Sequence, residues 1–271
     1  VPTEQKQYRM VQTFFETYQA YRDSVYYDAS AWSVAHFYNI KYKGVAKAPE
    51  GERLTQISKL YGLNPLRKSN YAYAVNAQDY NIPALIQDMQ SEKVVASAAF
   101  KPFQSSDGTS FAYGSVVIPV ALQTHTDDQL FEILNKLQEK HQTQIHSLSS
   151  GFSSKGIDLG SRYIRPIKKP KAVMIIGNGT RSYEAGEVWH LLDTRVGMPI
   201  TKIHQYRFSK LDLDQYNTLV LVSGTYEWNE SMVTKLKNWT TKGNTIVAIG
   251  TANKALIKHK IIKEKLITKI K

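Results

Sequence analysis

The sequence predicts an α/β protein: a small α/β unit over residues 70–165, then a doubly wound, mostly parallel sheet over residues 166–271, both preceded by a linking segment, residues 1–69. Three observations carry that prediction. After Pro170, Ala172-Val173-Met174-Ile175-Ile176 is apolar without alternation, as a strand covered on both faces must be. From there to Ile249, short apolar runs alternate with amphipathic stretches, the pattern of successive βα units. Ahead of Pro170 the pattern differs, because the strand-like runs 94–100 and 111–120 flank Asp107-Gly108, a hairpin signal.

Taken in order, residues 7–27 read as a helix with Met10, Phe14, Tyr18 and Tyr21 at helical spacing, and 54–61 as a second, short one. Tyr71 to Val75 reads as a strand and Tyr80 to Met89 as a helix. Leu130 to Lys140 is a helix with Leu130, Ile133, Leu134 and Leu137 on one face and Thr126 or Asp127 as its cap. Residues 144–148 close this unit. Small polar residues and glycine make 149–156 the expected linker, leading to the connector Arg165-Pro166-Ile167-Lys168-Lys169-Pro170. Strands are expected at 172–176, 200–204, 218–222 and 244–249. Helices are expected at 184–193 and 230–241, with Gly243 as the stop, and a last one at 255–271.

Composition excludes several classes. With 42% hydrophobic and 21% charged residues the chain is globular in character, and no apolar run approaches the ~20 residues a membrane helix needs. Zero cysteines remove disulfides, thiolate metal sites and a cysteine nucleophile. Of the net charge of +12, half comes from residues 254–271, where seven lysines face one glutamate. Without arginine or aromatics among them, those lysines read as a solvated helix face rather than a nucleic-acid site.

The stretch from Lys169 to Gly179, the stretch Tyr183 to Asp193 and Gly156-Ile157-Asp158-Leu159-Gly160-Ser161 resemble the C-terminal part of large bacterial zinc-carboxypeptidase-like proteins of the M14 family. In those, a peptidase domain precedes a class I glutamine amidotransferase-like domain. Val1 to Gln5, Asp23 to Trp32, Lys101-Pro102-Phe103 and Tyr113 to Val120 extend the likeness over most of residues 1–249. The resemblance implies a flavodoxin-like fold for residues 166–271 and a role for 1–69 in leaving an absent peptidase domain. It further implies zinc in that upstream domain and no cofactor in this chain. The expected location is periplasmic or secreted, with the signal peptide upstream of Val1. The expected partner is the peptidase domain of the same polypeptide; a homo-oligomer is the other assembly considered, with no nucleic acid and no membrane span.

Candidate chemistry is sparse. Gly177-Asn178-Gly179 after the first parallel strand suits a phosphate at a helix start, but Ser182 stands where a dinucleotide fingerprint wants its third glycine, so a plain turn is the alternative. Ser223-Gly224 and Gly250-Thr251 occupy the matching turns of later strands. An amidotransferase keeps its nucleophile at the latter, yet Thr251 has no evident base to activate it. Gly177, Gly179, Ser223, Gly224 and Thr251 are therefore the candidate ligand-binding residues. None of the seven histidines is followed three residues later by Glu, so the M14 zinc pair is missing and no metal ligand or catalytic residue is assigned.

Glu184, Glu187, His190 and Asp193 recur every three residues along one helix face, as an acid/base cluster, a docking surface or simply a solvated face. Trp189 beside them reads as core or interface. Tyr26, Tyr27, Asp28 and Trp32 form a polar-aromatic patch expected at an interdomain contact, together with Glu187 and His190. The first functional expectation is a non-catalytic accessory region of an M14-like zinc metallocarboxypeptidase, packing on the peptidase domain or mediating assembly. The second is a stand-alone small-ligand or carbohydrate-binding module, and the third a hydrolase using Ser or Thr in the crevice.

Overall fold

The computed structural model describes residues 2–15, 34–38, 40–47, 50–51 and 62–267, and the chain divides into two compact units, Val1–Leu60 and Tyr61–Lys271. In the first unit, α1 (Tyr8–Phe15) and α2 (Val34–Phe37) are joined through Tyr42, whose hydroxyl donates to the Phe15 carbonyl at 2.9 Å. Residues 16–27 of the expected first helix, the expected helix 54–61 and the patch Tyr26, Tyr27, Asp28 and Trp32 lie outside the described residues.

The second unit opens with β1 (Ala72–Val75), α3 (Ile82–Ser91), β2 (Ser97–Ala99), β3 (Phe103–Ser105), β4 (Ser110–Phe111) and β5 (Val116–Pro119). There follow α4 (Asp127–His141), β6 (Ile145–Leu148), β7 (Ser153–Gly156) and β8 (Ile164–Pro166). Five of these strands form an antiparallel sheet in the order β6-β1-β5-β2-β8. Strand alternation sends Tyr73, Val75, Val116, Ile118 and Ile145 to one face, where α3 and α4 bury Leu85, Met89, Leu130 and Leu134 against them. Ala72, Ala74, Val117 and Leu148 point the other way, toward Phe103 and Phe111 of a three-stranded sheet, β4-β3-β7. Thr126, rather than Asp127, caps α4: its hydroxyl accepts from the Gln129 amide while the Gln129 side chain accepts from the Thr126 amide.

Two expectations for this half change. Asp107-Gly108 does turn a hairpin, but between β3 and β4; the runs 94–100 and 111–120 still pair antiparallel through β2 and β5, while Phe111 belongs to β4 of the three-stranded sheet. The expected linker is partly a strand, β7, paired with β3. Its small residues serve close approach rather than flexibility: a Cβ on Gly156 would stand 2.4 Å from the Pro102 carbonyl.

After the connector come β9 (Ala172–Ile176), α5 (Ser182–Trp189), β10 (Ile200–His204), β11 (Thr218–Leu221), α6 (Glu230–Thr241), β12 (Thr245–Ala248) and α7 (Ala252–Lys258). The four strands pair in parallel in the order β10-β9-β11-β12. β9 is internal, as its apolar run requires: Val173 and Ile175 enter one core, Ala172 and Met174 the other. Asn217 ties the connector to this sheet, accepting from the Lys171 amide at 2.8 Å and donating to the Lys169 carbonyl at 2.9 Å.

The first face of the sheet is covered by α6, α7 and the 3-10 turns at 205–210 and 213–215. Trp239 fills its centre, 2% exposed, its indole N–H donating to the carbonyls of Leu213 (2.8 Å) and Tyr216 (3.2 Å). Within the described residues the expected helix over 255–271 is instead α7, starting three residues earlier and ending at Lys258, and residues 268–271 lie outside them. Lys260 adopts a left-handed φ of 53°, and the Ile261 amide closes back on the Leu256 carbonyl at 2.9 Å. Ile261 and Ile262 then pack on the core; the apolar spacing at 262 and 266 does not continue the helix.

Candidate functional site

The carboxyl ends of β9, β11 and β12 meet where open parallel sheets bind ligands. Each strand turns there on a glycine or beside one. Gly177 and Gly179 have φ of 99° and 89°, conformations that cost a side chain dearly. The 177–181 loop does not stand open as a phosphate cradle. The Thr225 amide donates to the Gly179 carbonyl at 2.9 Å, and the Arg181 amide donates to the Ser223 carbonyl at 2.8 Å, so the loop bridges β11's end edge to edge. Gly224 is the residue that permits this: a Cβ there would sit 2.5 Å from the Gly179 oxygen.

Three backbone amides of the crevice are held by its own side chains. Glu184 Oε2 accepts from the Ser223 amide at 2.7 Å, and Thr251 Oγ1 accepts from the Gly224 amide at 2.9 Å. Ser223 Oγ accepts from the Thr251 amide at 3.2 Å. Three amides of the kind that would greet an anion or an oxyanion thus already have a carboxylate or a hydroxyl as partner. Burial, and second the charge of Glu184, push the nearby Tyr226 phenol well above its ordinary value; it donates to the Val222 carbonyl at 2.7 Å.

At the β12-to-α7 turn the left-handed residue is Gly250 (φ 51°), while Thr251 is right-handed at −73°. An elbow of this type exposes its nucleophile from the strained position. A side chain at 250 would begin 2.2 Å from Ser223 Oγ. The crevice thus brings together Gly179, Glu184, Ser223, Gly224 and Thr251, with Gly177 on its rim, and it is closed on itself.

Glu184 is set apart from the other members of its three-residue series, since Glu187, His190 and Asp193 are exposed. The helix also changes character beyond Trp189. Residues 190–195 wind as a π-helix, the Val196 amide reaching the Leu191 carbonyl at 3.0 Å, so the spacing no longer stacks on one face.

A second concavity lies beside the crevice; the candidate residues Gly177 and Gly179 line it, together with residues of β10 and α5 that sequence reasoning did not offer as ligand-binding. Strand alternation points Ile200, Lys202 and His204 of β10 to the same side as Met174 and Ile176 of β9, with which Lys202 and His204 are in register. α5 faces them with Ser182, Ala185, Gly186 and Trp189, one helical stripe. Between them is a cleft of about 570 Å³. Trp189 is not core: it is 37% exposed at the cleft wall, with the Lys202 ammonium 4.5 Å from its ring centroid. The available signal was the polar Thr201, Lys202 and His204 in Ile200-Thr201-Lys202-Ile203-His204, which a strand buried on both faces would not carry.

Elsewhere, histidines occur singly. His141 Nε2 lies 2.7 Å from Asp88 Oδ2, and His146 stands edge-on to Phe111, 5.5 Å between centroids. Among the described residues no three His, Asp or Glu side chains converge as a metal site requires. Neither models of known protein families nor curated protein sequences give a match to this chain.

Proposed function

We propose that this chain is the non-catalytic accessory region of an M14-like zinc metallocarboxypeptidase, packing on the peptidase domain or mediating assembly while the zinc and the proteolysis belong to the upstream domain. The observation that carries the non-catalytic part is the self-satisfied crevice. Its amides at Ser223 and Gly224 are taken by Glu184 and Thr251, and a glycine occupies the strained position of the elbow. The resemblance of the 156–193 stretch supplies the rest, with a periplasmic or secreted location. In the same reading residues 166–271 are a flavodoxin-like, amidotransferase-like domain. The strand order β10-β9-β11-β12, second-first-third-fourth in chain order, favours that, being the first four strands of the flavodoxin-like order.

The test is to read the open reading frame upstream of Val1, express any His-x-x-Glu domain found there separately, and mix it with this chain. A stable complex by size-exclusion chromatography, with peptidase activity confined to the upstream piece, is the expected result. Peptidase or glutaminase turnover by this chain alone, or an upstream frame without a zinc-binding domain, overturns the reading.

A further inference from the structure

We infer that the cleft between α5 and β10 is a binding site for a small monocarboxylate with a flat apolar or aromatic body. The cleft borders the closed crevice at Gly177 and Gly179, and the inference does not depend on the peptidase reading. Its size is that of ligand pockets, which run from roughly 300 to 1,000 Å³, and its make-up is that of such pockets: an apolar floor with a few convergent polar groups.

Met174 and Ile176 of the sheet and Ala185 of the helix form the apolar part of the lining, and the turn 177–180 with Ser182 its uncharged polar part. At the mouth stand Lys202, His204 and the Trp189 ring. Among the described residues no Asp or Glu lines the cleft, and the Lys202 ammonium has no carboxylate within ion-pair distance. It rests on the Trp189 face instead, which holds a cation at a fixed place while leaving its donors free. One ammonium beside an indole face matches one negative charge on a planar body. A phosphate ester, carrying about two charges, would ask for more cations.

Two features of α5 have no packing explanation, and the first opens space at this cleft. Gly186 sits inside the helix, where glycine costs roughly 0.5–1 kcal/mol relative to alanine, yet a Cβ there would meet nothing within 4 Å. The space it leaves is cleft. Immediately after Trp189 the helix turns π-helical, a distortion that concentrates at functional sites.

Binding is tested by calorimetric titration of the full chain with N-acetyl-phenylalanine and indole-3-acetate, each against its neutral amide, and with inorganic phosphate. The acids are expected to bind saturably and at least about tenfold more tightly than the amides. Gly186→Leu, which fills the cleft from a helical position with free space, is expected to abolish binding without lowering the melting temperature. Lys202→Gln, on the exposed edge strand, is expected to weaken the acids about tenfold and leave the amides unchanged, and it serves if Gly186→Leu fails to fold. Absence of saturable binding, equal affinity for acid and amide, or acid binding undiminished by either substitution overturns the proposal. Phosphate binding as tight as the acids, lost in Lys202→Gln, overturns the carboxylate assignment.

Discussion

The two faces of the parallel sheet are built from the same four strands and finished in opposite ways. On the face of Val173 and Ile175, two helices, two 3-10 turns and the aromatic trio Phe208, Trp228 and Trp239 close over the sheet. On the face of Met174 and Val220, the eight residues of α5 and their π-helical continuation are the main cover, and β10 is left half bare. β12 shows the same asymmetry, with Ile246 packed on the first core and Val247 44% exposed on the other side. A strand pattern that demands burial therefore says that each face is covered, not how completely. The incompletely covered face is where space for a ligand remains.

The largest test of this contrast uses one residue type on both sides. Trp239→Ala should lower stability by about 3–5 kcal/mol, since it opens a cavity and strands two carbonyl partners. Trp189→Ala should cost less than about 1 kcal/mol, because the half-exposed ring leaves no cavity. Equal shifts in denaturation midpoint would dissolve the distinction between the faces. Gly224→Ala comes next, at about 1–3 kcal/mol, because the new Cβ meets backbone that cannot yield without parting the 177–181 loop from β11. Thr251→Ala should remove about 1 kcal/mol by freeing the Gly224 amide and should leave any activity of a parent enzyme unchanged. Gly186→Ala should go the other way and raise stability by about 0.5–1 kcal/mol, a sign that separates open cleft from packed helix in a single melting curve.

The smallest expected effect is on pH dependence, and it sits away from the sheet. Burial, outweighing the charge of Asp107, holds the His146 imidazole below its ordinary 6.5. The folded state thus favours the neutral ring, so its contribution is full above pH 6.5 and fades as pH falls through the lowered folded-state value. Asp88 is driven up by burial and, more strongly in sum, down by the hydrogen bonds of Lys140 and His141, ending below the usual carboxylate value. Its contribution is full above the unfolded value of 3.8 and is lost only below it. A melting temperature that falls as the pH drops below about 6.5 in the wild-type chain, and falls less in His146→Phe, would match this, the lowered His259 supplying the remainder. A rise on acidification over that window would contradict it.

Much of the architecture was legible because it rests on local periodicity. The strands at 172–176, 200–204 and 218–221, the helix at 230–241 and its stop at Gly243 follow from runs and breaks a few residues long. What failed depended on tertiary context. The small residues of 153–156 look like a linker until Pro102 presses on Gly156, and Ile262 and Leu266 look helical until Lys260 turns the chain. Of the crevice residues, the sequence offered Gly177, Gly179, Ser223, Gly224 and Thr251 as separate turns. That Glu184 crosses to the Ser223 amide is a contact over 39 residues, which no local pattern encodes.

That contact makes the crevice a receptor with its ligand attached. A tethered carboxylate acts at an effective concentration on the order of millimolar or more, set by the geometry of its helix rather than by the solvent. A free anion present below that level competes poorly for the Ser223 amide, however well it fits. The chain therefore carries a fixed competitive threshold at the place where open parallel sheets bind ligands.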